Sequence, residues 1–250
     1  VEYSVSPYPK TVSFIVLALN EADNIKKTVE TIFDAVSHSH ITDYELILVN
    51  DGSNDGTGEL MEKIAFNENN IFVVHNKINQ GFGSAYLKGI QIATKEYAMI
   101  IAGDNIMPSD SIKRILNSVG TTDIILPYMS DARHRNKLRA IASWIFARLI
   151  NSISKTKIKY YNSMVVRQSL FSKIQVQSTG YTLQAECVIK FIRNRASFCE
   201  IAVSHGHEFS KKPNSHALKI KNLINVFLSL KKLIKELSKK NDFFLPPDLN

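Results

Sequence analysis

Four short polar runs hold the residues with the most chemical capacity, and each lies in the loop that follows an apolar run. Asn20-Glu21-Ala22-Asp23 presents a carboxamide and carboxylates that suit either a helix cap or the edge of a nucleobase. In Asp51-Gly52-Ser53-Asn54-Asp55-Gly56, an acid placed straight after a strand can hold ribose hydroxyls or a base N–H. Gly52 and Gly56 permit a tight turn there, and Asp55 is placed to cap the following helix. Asn79-Gln80-Gly81-Phe82-Gly83-Ser84 opens a helix expected over residues 84–94. Its glycines approach a dinucleotide fingerprint, with Asp104 about twenty residues on. Tyr86 stands at the sixth position, however, and the run follows a third strand rather than a first, so the remaining role is a helix N-terminus facing a phosphate or a sugar nucleotide. Gly103-Asp104-Asn105 supplies two oxygen donors suited to Mg²⁺ or Mn²⁺ on a diphosphate, or else a structural turn.

These runs need a scaffold that brings them to one edge. Val-, Ile- and Leu-rich stretches at 12–19, 44–50, 71–75 and 97–102 read as buried strands, each too short for a helix. Between them, Ile25, Val29, Ile32, Phe33 and Val36 form one helical stripe, and Ile112, Ile115, Leu116 and Val119 form another after Pro108. Strands alternating with helices predict an α/β fold with a doubly wound, mostly parallel sheet flanked by helices. In such a sheet ligands bind beyond the carboxyl ends of the strands, where all four polar runs fall.

At 250 residues, with 44% hydrophobic and 22% charged residues, the chain suits one large domain and excludes collagenous or low-complexity classes. Cys187 and Cys199 make neither a CxxC pair nor a zinc pattern, which favours a reduced, cytoplasmic chain. The first ten residues lack the pattern of a signal peptide, and no run approaches the ~20 apolar residues that span a bilayer. Beginning with Val rather than Met, the chain leaves a terminal anchor open.

Charge is divided unevenly. Residues 1–128 hold 9 Lys+Arg against 16 Asp+Glu, a net of −7, whereas 129–250 hold 22 against 7, a net of +15. The basic half favours phosphates on a lipid, a membrane surface or a nucleic acid, or is a solvated basic surface. Nucleic acid is set aside, because interleaved aromatics and a known binding motif are missing.

The runs Leu17-Ala18-Leu19-Asn20-Glu21, Val49-Asn50-Asp51-Gly52-Ser53-Asn54-Asp55-Gly56-Thr57 and Gly81-Phe82-Gly83-Ser84-Ala85 with Lys88-Gly89 resemble the family 2 glycosyltransferases of GT-A fold, within them the dolichol- or polyprenyl-phosphate sugar synthase group. The resemblance implies a nucleotide-sugar donor site formed by Leu19, Asn20, Glu21, Asp51, Gly52, Ser53, Gly81, Gly83, Lys88 and Asp104, with Asp104 as the last acid of the family's DxD metal motif. Ala102 replaces the first acid, which weakens the implied Mg²⁺ or Mn²⁺ site to Asp104 and Asn105, with His207 of the His205/His207 pair as a further ligand or a surface residue. Arg139-Ala140-Ile141-Ala142-Ser143 fits the group's Arg-x-x-x-Ser pattern facing acceptor and donor phosphates. Arg133, Arg139, Ser143 and Asn162 are the implied acceptor residues, and the closing motif is degraded at 210–216.

If the acceptor is a lipid phosphate, it is an anionic nucleophile and arginines are the expected helpers. If it is a glycan hydroxyl, a base is needed, and Glu186 on a helix expected over 182–195 is that base or an exposed acid. Asp104, Arg139 and Glu186 are thus the catalytic candidates; a noncatalytic nucleotide-sugar binder is the alternative from another class. The expected organisation is a single domain over 1–215, with a donor half at 1–128 and an acceptor half at 129–215, followed by a basic amphipathic helix and tail over 216–250. In that helix Ile220, Leu223, Ile224, Phe227, Leu230, Ile234 and Leu237 form a stripe among lysines, suited to an anionic membrane surface at the cytoplasmic face or to the protein's own core. The helix around 141–150, with Trp144 and Phe146 beside Arg148, would line a lipid path or the core.

Overall fold

The computed structural model describes residues 9–130, 137–159, 163–178, 180, 182–204, 229, 231–235 and 237, without the side chains of 137–142. Strands β1 (Thr11–Ala18), β2 (Asp43–Asn50), β3 (Ile71–His75) and β4 (Tyr97–Ala102) coincide with the predicted apolar runs to within a residue. With β5 (Ile124–Met129), β6 (Val165–Arg167) and β7 (Phe198–Val203) they make one sheet in the order β3-β2-β1-β4-β6-β5-β7. Neighbours β1/β2, β1/β4, β2/β3 and β5/β7 run parallel, while β6 runs antiparallel to both β4 and β5. Two reversals through β6 leave β5 and β7 pointing the same way as β1 to β4. The carboxyl ends of six strands therefore share one edge.

The alternation of side chains across each strand divides the apolar residues between two cores. Ile15 and Leu17 of β1 face Tyr86 and Ile90 of α3 (Phe82–Ile92), Ile150 of α5 (Lys137–Ser154) and Leu183, Val188 and Phe191 of α6 (Leu183–Arg193). Val12, Phe14 and Val16 point the other way, toward Ile25, Val29 and Ile32 of α1 (Ile25–Ser37), Met61 of α2 (Thr57–Ala65) and Ile112, Ile115 and Leu116 of α4 (Ser109–Leu116). Burial on both faces is why β1, β2 and β4 read as continuous apolar runs rather than alternating ones. A Cβ at Gly89 would come within 2.3 Å of the Ile15 side chain, so α3 lies on β1 at a distance only glycine allows. Arg167 fixes the short β6 by pairing with Glu96 at 3.1 Å and Asp123 at 2.8 Å.

Helix α3 begins two residues before the predicted start, directly after Gly81 at φ +87°. Residues 229, 231–235 and 237 at the C-terminal side carry the basic helical portion. There Leu233 is buried in the cluster of Ile150 and Phe191, Leu237 packs beside it, and Ile234, assigned to the apolar stripe, is 45% exposed. Leu237 meets the core as the stripe predicts, and the residue that joins it one turn earlier is Leu233 rather than Ile234.

Candidate functional site

At the shared edge, the first three polar runs are held together by their own hydrogen bonds. Asp51 follows β2 and is only 5% exposed. Its Oδ1 accepts from Asn76 Nδ2 at 2.8 Å and from the Gln80 N–H at 2.9 Å, and its Oδ2 accepts from the Gly81 N–H at 2.9 Å. One buried carboxylate thereby gathers the whole loop after β3. Gly52 has φ +78°, and a Cβ there would lie 2.6 Å from Asn79 N and Ile78 C, so backbone packs on backbone at this point. Lys88 of α3 donates from Nζ to Asn76 Oδ1 at 2.7 Å, bringing a cation to the same loop.

The loop after β1 is joined to the loop after β2 in the same manner. Asn20 adopts φ +55°, donates its N–H to Ser53 Oγ at 2.9 Å and accepts the Asn54 N–H on Oδ1 at 3.0 Å. Glu21 donates its N–H to Thr57 Oγ1 at 2.9 Å, and Ala22 donates to Asp55 Oδ2 at 3.1 Å. The Glu21 carbonyl, not a side-chain cap, accepts the Asn24 and Ile25 N–H groups that begin α1. Partial burial works to raise the Asp55 carboxyl, but hydrogen bonds from the Thr57 hydroxyl and the Ala22 and Thr57 N–H groups outweigh it and hold the group below the usual carboxylate range. Asn20 and Asp55 therefore act as cross-links between loops, leaving Leu19, 39% exposed, at the open side.

Beside them, the loop after β4 sits against β1. The Gly103 N–H donates to the Leu17 carbonyl at 2.8 Å, its carbonyl accepts from Thr28 Oγ1 at 2.9 Å, and a Cβ on it would lie 2.9 Å from Ala18 Cβ. Asn105 adopts φ +53° and accepts from Thr31 Oγ1 at 2.9 Å through Oδ1. That oxygen, the predicted metal donor, is thereby oriented by α1, with its second lone pair left for a further partner. Asp104 is half-buried at the carboxyl end of β4, with Oδ1 3.4 Å from the Ile106 N–H. No group of three or more His, Cys, Asp or Glu that could hold a metal occurs among the described residues. The donor set fits a divalent cation as a guest arriving with a diphosphate, taking Asp104 and filling its shell from phosphate oxygens and water.

Glu186 corrects the expectation of an exposed acid. It is 2% exposed rather than a surface acid, and it pairs with Lys190 at 2.7 Å. Its oxygens also accept the Gln177 N–H at 2.9 Å and the Ser178 N–H at 2.8 Å. Burial pushes its carboxyl upward, but the Lys190, Ser178 and Gln177 hydrogen bonds outweigh this and hold it below the ordinary glutamate value. A base poised near neutral pH requires the opposite shift. Glu186 instead fastens residues 177 and 178 to the start of α6.

Gly83 is buried in the first turn of α3, and Ser143 is exposed on α5. Arg139 lies in the first part of α5 with its side chain outside the described set; Arg133, Asn162 and His207 lie outside the described residues altogether. Sequence reasoning missed the support behind Asp51. His75 accepts on Nδ1 from Asn50 Nδ2 at 3.0 Å and donates from Nε2 to Glu62 Oε1 at 2.8 Å, a polarity set by the Ser53 N–H occupying Asn50 Oδ1. The signal for His75 and Asn76 was their place at the end of β3, the same position that singled out Asp51 on β2.

A family model described as glycosyl transferase family 2 matches residues 13–184. The chain belongs to this family. It is 30% identical over 175 residues to the poly-β-1,6-N-acetyl-D-glucosamine synthase of Staphylococcus aureus (strain MSSA476), an overlap of 68% of this chain and 41% of that protein. The chain thus spans about two-fifths of the length of this family 2 relative. Among solved structures, it is similar to glucosyl-3-phosphoglycerate synthase from Mycobacterium tuberculosis in complex with Mn²⁺, UDP and phosphoglyceric acid, with a TM-score of 0.67, 15% identity and coverage of 90% of this chain and 78% of that one. It is equally similar to mannosyl-3-phosphoglycerate synthase from Rubrobacter xylanophilus, with a TM-score of 0.67, 15% identity and coverage of 96% and 78%. The sheet order and the helices on both faces match this GT-A fold.

Proposed function

We propose that the chain is a nucleotide-sugar-dependent glycosyltransferase that transfers a sugar from a UDP- or GDP-sugar to a polyprenyl phosphate at a membrane surface, with inversion. The observation that carries the donor half is the carboxylate of Asp51, which fixes the loops after β2 and β3 at the edge where Asn20 and Asp104 also lie. That edge presents acceptors and donors for a nucleoside, with Lys88 and the N-terminus of α3 on the phosphate side. Glucosyl-3-phosphoglycerate synthase, which shares the fold, binds UDP with Mn²⁺, in keeping with a divalent cation here.

A divalent cation bound with the donor would neutralise charge developing on the departing diphosphate. The chain's own residues orient the substrates. Asn20 and Asp51 hold the nucleoside, Asp104 lies beside the diphosphate, and Arg133, Arg139, Ser143 and Asn162 supply the acceptor phosphate with positive charge and hydrogen bonds. A phosphate monoester, with a second pKa of about 6, reaches the anomeric carbon already ionised. The pairing of Glu186 with Lys190 favours this acceptor over a glycan hydroxyl, because the one base candidate named for hydroxyl activation is fully engaged.

The test is incubation with a panel of UDP- and GDP-sugars and a short polyprenyl phosphate, with and without Mn²⁺. A lipid-linked sugar is expected. Nucleotide binding with neither lipid product nor donor hydrolysis would overturn the lipid-acceptor reading, and product on a glycan hydroxyl alone would replace it.

A further inference from the structure

Helix α5 carries an apolar surface that no other element among the described residues covers. Trp144 is 58% exposed, Ile145 48% and Leu149 40%, and Arg148 is exposed among them with its guanidinium 4.7 Å from the Trp144 ring centroid. Positions 144, 145, 148 and 149 lie on one side of two successive turns. Ile150 turns away from that side and is buried in the core, so the helix is fastened by one face and bare on the other. The neighbouring chain is cationic throughout. Residues 137–159 contain six Lys and Arg (Lys137, Arg139, Arg148, Lys155, Lys157 and Lys159) and no Asp or Glu.

The location of this face matters as much as its composition. Lys155 at φ +56° ends the helix, and the chain returns so that Lys159 Nζ lies 4.1 Å from the ring of Tyr128, near the carboxyl end of β5. That is the sheet edge at which the loops around Asp51 and Asp104 gather. No described helix, α5 included, is apolar enough to cross a bilayer. An indole with branched aliphatics and an arginine on one helical face is the composition that lies in the headgroup region, rings and chains inward and cations on lipid phosphates.

We propose that the outer face of α5, centred on Trp144, Ile145, Arg148 and Leu149, is a docking surface for an anionic lipid bilayer. Charge decides between a bilayer and a second copy of the chain. A twofold dimer through this face would set one cationic helix against its own image, with no carboxylate on 137–159 to pair with. Phosphatidylglycerol headgroups complement it, each Lys or Arg near such a surface adding to the attraction. This inference deepens the acceptor reading above, and its test uses neither donor nor acceptor, so that either can fail alone.

Trp144 is the sole tryptophan, so its emission reports this helix and nothing else. The full chain is titrated with vesicles of phosphatidylglycerol and phosphatidylcholine, with pure phosphatidylcholine vesicles and with anionic vesicles containing brominated lipid. Expected are a blue shift on anionic vesicles, quenching by the brominated lipid, and at least tenfold weaker binding to pure phosphatidylcholine. The double variant Ile145→Glu/Leu149→Glu should lose tenfold or more in vesicle affinity while its UDP titration by calorimetry, which also reports a folded donor site, stays that of the wild type. Emission unchanged by anionic vesicles, or vesicle binding undiminished in the double variant, would overturn the proposal. So would a blue shift that grows with protein concentration without lipid, alongside dimers in sedimentation, which would assign the face to a second copy.

Discussion

Replacing Gly52 by Ala tests the contact between the loops after β2 and β3, and Gly56 provides its internal control. Both glycines have positive φ, +78° and +90°, so alanine costs about 1–2 kcal/mol of backbone strain at either position. Nothing lies within 4 Å of a Cβ at Gly56, whereas one at Gly52 would sit 2.6 Å from Asn79 N and Ile78 C. Reaching the 3.4 Å of ordinary contact requires the 78–81 loop to withdraw by about 0.8 Å. That displacement stretches the 2.9 Å bonds from Gln80 and Gly81 to Asp51 beyond hydrogen-bonding range. Two bonds to an ionised acceptor at about 1.5–3 kcal/mol each bring the total for Gly52→Ala to roughly 4–8 kcal/mol. Urea unfolding followed by circular dichroism should therefore separate the two variants by about 3–6 kcal/mol. UDP affinity should fall in Gly52→Ala and hold in Gly56→Ala. Equal losses of stability in the two variants would refute the argument that this loop contact is tight.

Glu186→Gln should lower stability by about 3–5 kcal/mol in urea, since it strands the buried Lys190 charge. The Glu186 carboxyl is held below its ordinary value of 4.5, so its contribution is complete above about pH 4.5 and declines as the pH falls through the lower folded value; the difference between wild type and variant should shrink only in acid. The pH profile of whatever turnover the variant retains should keep its shape, which a catalytic base would not allow. Tyr86→Phe should leave stability unchanged or raise it by up to about 1 kcal/mol in thermal melts, because the Tyr86 hydroxyl is fully buried with no hydrogen-bond partner among the described residues. His75→Leu should cost about 1–3 kcal/mol by orphaning Asn50 Nδ2, and should weaken UDP binding measured by calorimetry because Asn50 also holds the Ser53 N–H.

The donor half of the fold was legible because parallel strands buried on both faces announce themselves as unbroken apolar runs, and because Asp51 and Asp104 fall directly at their ends. The three residues of β6 were not legible; so short a strand has no period to detect, and its place between β4 and β5 is secured by Arg167 reaching Glu96 and Asp123, a pairing distant in sequence. Residue type alone also misjudged the exposure of Glu186 and gave no sign of the Thr31 contact to Asn105. A glutamate on a helix gives no sign that Lys190, one turn later, and two backbone N–H groups from 177 and 178 will close over it. Likewise, the use of the Asn105 amide by Thr31 depends on α1 packing beside the β4 loop. Ile234 and Leu233 differ by one position, and only the surface they meet decides which is buried.

Calorimetric titration with UDP and GDP, with and without Mn²⁺, tests the donor site most directly when wild type and Asp51→Asn are measured side by side. Asparagine keeps an acceptor for Asn76 and Gln80 but sets an N–H against that of Gly81, so the loops should loosen without loss of the fold. The wild type should bind one nucleoside diphosphate per chain, and Asp51→Asn should bind it at least about tenfold more weakly with its circular dichroism spectrum preserved, a loss equivalent to about 1.4 kcal/mol. Absence of nucleotide binding to the wild type, or undiminished affinity in Asp51→Asn, would contradict the placement of the donor at these loops.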